Sequence, residues 1–193
     1  MNIDKFLPIL ILINFIVFIL LVSHAHAGPF IGAQYQYQDA ITNNDALVIN
    51  AGYKMENGWT PSVQIKNSQA NLGDGDISVG MEGRLKKSFK VGAFSPYVQG
   101  RLGEYVSTNK EYGYYAIDSG IKAPIPYLND TSLDIVYRFK DAFDGKLAKE
   151  EHRYGIQADY KITDNHGLGV QYRQAFAGDL PSKSYALKYT YNF

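Results

Sequence analysis

The stretch "SLDIVYRFK", residues 132–140, places Leu133, Ile135, Tyr137 and Phe139 on one parity and Asp134, Val136, Arg138 and Lys140 on the other. A period of two is the signature of a strand whose two faces meet different surroundings. It recurs throughout the chain beyond residue 27. Nine further stretches carry it: "PFIGAQYQYQ", "ALVINAGYKME", "WTPSVQIKNS", "DISVGMEGRLK", "AFSPYVQGRLGEY", "YYAIDSGIK", "HRYGIQADYK", "LGVQYRQA" and "SYALKYTYNF". No segment in this region is apolar for long enough to cross a bilayer as a helix, and none has the spacing of an amphipathic helix. Ten strands is the count that this patterning predicts.

The segment before them is of another kind. Residues 1–27 hold Lys5, an apolar run from Phe6 to Val22, and Ala25-His26-Ala27 before Gly28. That order reads as a cleavable secretory signal, with a retained membrane anchor as its rival. The expected organisation is therefore a signal peptide over 1–27 and a single β domain over 28–193. Cysteine is absent, so the chain has neither a disulfide framework nor a thiolate metal site.

The links between strands alternate in character. Asn57-Gly58, a strong hairpin signal, falls in one class with "KKSF", "PIPYLND" and "TDNHG". "DAITNND", "NSQANLGDG", "STNKEYG", "DAFDGKLAKE" and "AGDLPSK" form a second class, richer in Asn, Asp and Gly. A barrel with both termini at one end predicts such an alternation, with short turns at that end and longer loops at the other.

Which face is dry separates a soluble barrel from a membrane barrel. One parity carries the ions, among them Lys54, Glu82, Arg84, Asp118, Asp134, Arg138, Arg153, Asp159 and Arg173, together with repeated Gly and Gln. The other is almost free of charge and rich in Tyr, Ile and Leu. A secreted soluble β-sandwich also alternates, wetting its polar face. Aromatics at strand ends (Tyr53, Trp59, Tyr105, Tyr114, Tyr160, Tyr185 and Tyr191) fit girdles at two membrane interfaces instead. The reading is an all-β, transmembrane, antiparallel up-and-down barrel of ten strands, with eight as the alternative. Its apolar parity faces lipid and its ionic parity faces a lumen.

The closing strand, with Tyr185, Leu187, Tyr189, Tyr191 and Phe193 on one parity, resembles the final strand of bacterial outer-membrane barrels. "SPYVQGRLG", residues 95–103, is similar to a Pro-Tyr-Val segment of small opacity-type and OmpA-like barrels. The resemblance covers residues 28–193 and identifies no subfamily. It implies export, residence in the bacterial outer membrane among its lipids, and recognition of the closing strand by the barrel-assembly machinery. Small members often have eight strands, so ten is a departure.

Little in the chain points to catalysis. His152 and His166 are the histidines beyond residue 27, and neither is spaced with a second His or a carboxylate as a metal site requires. A lipase-type pairing of His152 with Ser184 would have to reach across an intervening strand. No cofactor is called for. With Lys plus Arg at 19 and Asp plus Glu at 19, nothing suggests nucleic acid as a partner. The near-equal mix of signs among the nine lumenal candidates favours a largely occluded lumen, stiffened by paired charges. The barrel would then be a non-enzymatic monomer with an envelope-structural or surface-interaction role and a possible ligand at its outer loops. A narrow porin-like channel for small solutes is the alternative, and a membrane-embedded hydrolase ranks behind both.

Overall fold

A computed structural model describes residues 28–39, 43–70, 77–144, 150–177 and 180–193. The expected signal segment, 1–27, lies outside the described residues. Ten antiparallel strands follow in order: β1 (Pro29–Asp39), β2 (Asn44–Tyr53), β3 (Trp59–Ala70), β4 (Ile77–Ser88), β5 (Ser95–Ser107), β6 (Glu111–Pro124), β7 (Thr131–Ala142), β8 (Glu151–Lys161), β9 (His166–Ala177) and β10 (Leu180–Asn192). Each pairs with its neighbours in sequence, and β1 pairs with β10 to close the barrel. That seam runs from Phe30 opposite Asn192 to Asp39 opposite Lys183. The Phe193 amide extends it by donating to the Pro29 carbonyl at 3.1 Å. Closure leaves no edge strand, which hydrocarbon would not tolerate.

The strands run from 10 residues in β2 to 14 in β6, long enough to span a bilayer when tilted. Parity sorts their side chains. Leu47, Leu102, Ile117, Ile135, Val170 and Leu187 are each at least half exposed on the outer face. Their inward neighbours Val48, Arg101, Ala116, Asp118 and Gln171 are buried. An outer belt this apolar is a lipid-facing surface, and the fold is a transmembrane β-barrel.

Ring contacts tie the outer face together near the end away from the termini. They run from Phe143 through Tyr115 and Phe139 to His152, then through Tyr137 and Tyr154 to Phe176. At the terminal end His166 lies against Tyr189 and Tyr191, and Tyr191 meets Phe193 edge-on at 4.8 Å.

The expected contrast in link length is not found. The turns at the terminal end cover 54–58, 89–94, 125–130 and 162–165. The opposite links cover 40–43, 71–76, 108–110, 143–150 and 178–179, no longer as a class. The polar residues assigned to long loops instead prolong the strands. Asp39 and Lys183 still pair in the seam, as do Glu111 with Val106 and Asp141 with Tyr115. At a water-exposed rim, backbone pairing continues with polar side chains at little cost. Asn57-Gly58 makes its expected turn: Gly58 sits at φ 85, where glycine is unstrained, and its amide donates to the Met55 carbonyl. Pro61 and Pro96 both fall within the first residues of their strands, where a missing N–H is tolerated.

Introducing charge into the belt tests the lipid-facing assignment. Ile117→Arg, at the middle of β6, is expected to cost about 2–4 kcal/mol, and Leu128→Lys in the 125–130 turn about 0–1 kcal/mol. Urea unfolding in lipid vesicles reads both; equal effects would contradict the placement of the belt.

Candidate functional site

The lumen gathers the chain's chemistry. On the arc β4–β7 Glu82 and Asp118 gather the guanidinium groups around them. Glu82 on β4 takes Arg84 beside it and Arg101 of β5, whose Nη1 donates to Oε1 at 2.6 Å. Asp118 on β6 also binds Arg101, whose Nε donates to Oδ2 at 2.8 Å. Arg138 of β7 donates to the other Asp118 oxygen at 2.8 Å. Two carboxylates thus hold three guanidinium groups, and Asp118 is 1% exposed. Burying these ions is affordable because each is paired and hydrogen-bonded.

Two tyrosines complete this wall. The Tyr114 hydroxyl donates to Glu82 Oε2 at 3.0 Å, and the Tyr97 hydroxyl donates to Asp134 at 3.0 Å. The phenolic end of each ring lies against a glycine on the paired strand, Tyr114 against Gly103 and Tyr97 against Gly120. A Cβ at either glycine would sit 2.5 Å from the ring, closer than van der Waals contact permits. The glycines on the ionic parity are therefore seats for large lumenal side chains. Gly155 likewise leaves room for the Arg173 stem. Lys86 lies over the Tyr97 ring and Lys140 over Tyr114, each at 3.9 Å, in cation–π contact.

The rest of the circumference differs. Lys122 of β6 pairs with Asp159 of β8 at 2.8 Å, and Arg153 pairs with Glu151. Lys54 donates to Asn192 Oδ1 at 2.6 Å. Among the described residues no carboxylate lies within ion-pair reach of Lys66 on β3, Arg173 on β9 or Lys188 on β10.

Two cavities of about 1140 and 680 Å³ occupy the lumen, the larger opening toward the terminal end and the smaller toward the other. Gln64, Lys66, Glu82, Tyr114, Lys140 and Arg153 line both and form the septum between them. These lumenal ion pairs and hydrogen bonds lie within one strand or join strands that are adjacent or one apart, and none of them crosses the bore.

All nine lumenal candidates, Lys54, Glu82, Arg84, Asp118, Asp134, Arg138, Arg153, Asp159 and Arg173, line the larger cavity. The interfacial aromatics are less uniform. Trp59, Tyr160 and Tyr185 are exposed on the outer face, and Tyr191 joins the terminal ring cluster. Tyr53 is 3% exposed. Tyr105 and Tyr114 are corrections: both face the lumen and line the smaller cavity with Tyr112, because they sit on the ionic parity. Sequence patterning also passed over Arg101, Lys66, Lys140 and Lys188 as site residues. Their parity was the available signal. His152 accepts or donates a bond to the Tyr137 hydroxyl at 2.7 Å and to Glu150 at 2.7 Å. It lies on the outer face, whereas Ser184 lies on the inner parity and is buried.

The two classes of lumenal cation predict opposite responses. Asp118→Ala strands Arg138 and leaves Arg101 with Glu82 alone, and is expected to cost roughly 3–5 kcal/mol. Lys188→Gln removes an unpartnered charge and is expected to leave stability unchanged or raised. Urea midpoints in detergent micelles decide; destabilisation by both variants would contradict the distinction.

No family model matches the chain, and no curated protein matches its sequence. Solved structures do resemble it. The NanC porin aligns with TM-score 0.57 and 10% identity over 84% of this chain and 100% of that one. An outer membrane channel from Pseudomonas putida F1 aligns with TM-score 0.57 and 11% identity over 86% and 96%. The beta domain of a Bordetella autotransporter aligns with TM-score 0.55 and 11% identity over 86% and 99%. At these identities the likeness is one of fold, that of outer-membrane β-barrels, which host more than one function.

Proposed function

We propose that the protein is a narrow, non-enzymatic channel for small polar solutes in the bacterial outer membrane. It works as a single barrel, with the termini on the periplasmic side and residues 1–27 serving as its export signal. The outward row Tyr185, Leu187, Tyr189, Tyr191 and Phe193 is its address for the assembly machinery. The observation that carries the channel reading is the arrangement of the lumenal ions along the wall. A charge-locked plug would be braced across the bore, but the pairs here link neighbouring strands and leave polar cavities on both sides of a thin septum. Charges held this way stabilise the barrel while leaving water and solutes a path along its axis.

A sealed, envelope-structural barrel is the second reading. It is favoured by the dryness of the lumenal waist, where Gln36, Val48, Ala116, Asp118 and Gln171 are all below one-tenth exposed. Single-channel recording in planar bilayers separates the two. The channel reading expects discrete, reproducible openings, larger in Tyr114→Ala, which thins the septum. Silence in both wild type and variant supports the sealed barrel.

A further inference from the structure

The chain as a whole is neutral, with 19 basic and 19 acidic residues, but its lumen is not. Among the described residues lining the two cavities, twelve are Lys or Arg and seven are Asp or Glu. The excess is spread round the bore, but its unpaired members differ: Lys86 and Lys140 on β4 and β7 lie over tyrosine rings. The carboxylates Glu82 and Asp118 are consumed by the arc β4–β7. Lys66, Arg173 and Lys188 face the bore from β3, β9 and β10 and, among the described residues, have no carboxylate in ion-pair contact.

These cations are spread along the axis. Lys54, at the terminal mouth, donates to Asn192. Lys188, opposite Gly169, and Arg173, opposite Gly155, line the larger cavity. Arg153 and Lys66 line both cavities. The Nε of Arg153 is itself buried without a hydrogen-bond partner. Cations packed beside one another in a confined space repel, and burying them without counter-charge is costly. Mobile anions entering from water would relieve both penalties. A bore walled in low-dielectric material also concentrates ions of the opposite sign.

We infer that the lumen selects small anions, of the carboxylate or phosphate class, and that Lys188, Arg173 and Lys66 are the successive positions that they occupy. The inference rests on the channel reading for its transport sense, while the anion positions stand on the lumen's own geometry. The arc β4–β7 is then the rigid wall and the unpartnered cations are the binding wall. Arg173 is the central position: its stem is seated on Gly155, and it lines the larger cavity together with Arg153 and Asp118.

The test is the zero-current potential of the purified full-length protein across a KCl gradient in planar bilayers. Chloride is expected to be preferred over potassium by on the order of tenfold. Arg173→Gln and Lys66→Gln should each reduce the preference and together bring it near unity, whereas Lys183→Gln, exposed on the rim, should leave it unchanged. Openings with no preference or with a potassium preference overturn the inference and leave the channel standing. If the bilayer is silent, titration with inorganic phosphate decides, followed by NMR of the arginine side chains in micelles against chloride at matched ionic strength. Saturable shifts at Arg173 support the anion site and sink the channel. Their absence from a silent protein overturns both.

Discussion

Inside hydrocarbon a peptide group has no water to bond, and the pairing of β1 with β10 is what satisfies the last of them. Everything else in the molecule follows from that seam. A closed sheet has two faces that cannot exchange, so parity along each strand becomes a permanent assignment to lipid or lumen. A one-residue slip of β6 would drive Asp118 into the bilayer and Ile117 into the bore, and one of β7 would do the same to Arg138 and Ile135. Register is therefore specified by the whole circumference at once. The ion pairs that bind β4 to β5, and β5 and β7 to β6, form only in that register.

Within the lumen the protein deals with its charges in two ways. On β4–β7 the carboxylates Glu82 and Asp118 are bonded to guanidinium groups and Asp134 to the Tyr97 hydroxyl, and tyrosines seated on glycines of the adjacent strand brace the wall. On β3, β9 and β10 the cations have no such partners. The first arrangement is self-sufficient. In the proposed channel the first would give the lumen its shape, and the second would meet the solute.

The strand count and the inside-out faces were legible because period-two patterning survives in every segment, from "PFIGAQYQYQ" to "SYALKYTYNF". Tyr105 and Tyr114 were misplaced because a tyrosine near a strand end suits both an interface and a polar bore. Only the partner decides, and the facing Gly103 comes from pairing that patterning does not reveal. Loop lengths were misjudged because Asn- and Asp-rich segments at a wet rim still pair their backbones. The apparent balance of sign had a similar origin. The nine residues singled out are five cations and four carboxylates, and the lining residues passed over, among them Arg101, Lys66, Lys140 and Lys188, carry most of the cationic excess. Which ions share a bore and which are already paired depends on closure and tilt, and neither is encoded in parity.

The absence of cysteine makes the inside-out assignment directly measurable. Single-cysteine variants along β6, from Ala116→Cys through Ile121→Cys, can carry a spin label in lipid vesicles, with collision rates read against oxygen dissolved in the bilayer and a water-soluble nickel complex. The account predicts strict alternation, with oxygen dominating at 117, 119 and 121 and nickel accessibility, where any is found, confined to 116, 118 and 120. Equal nickel accessibility at both parities, or oxygen dominating at the even positions, would contradict it.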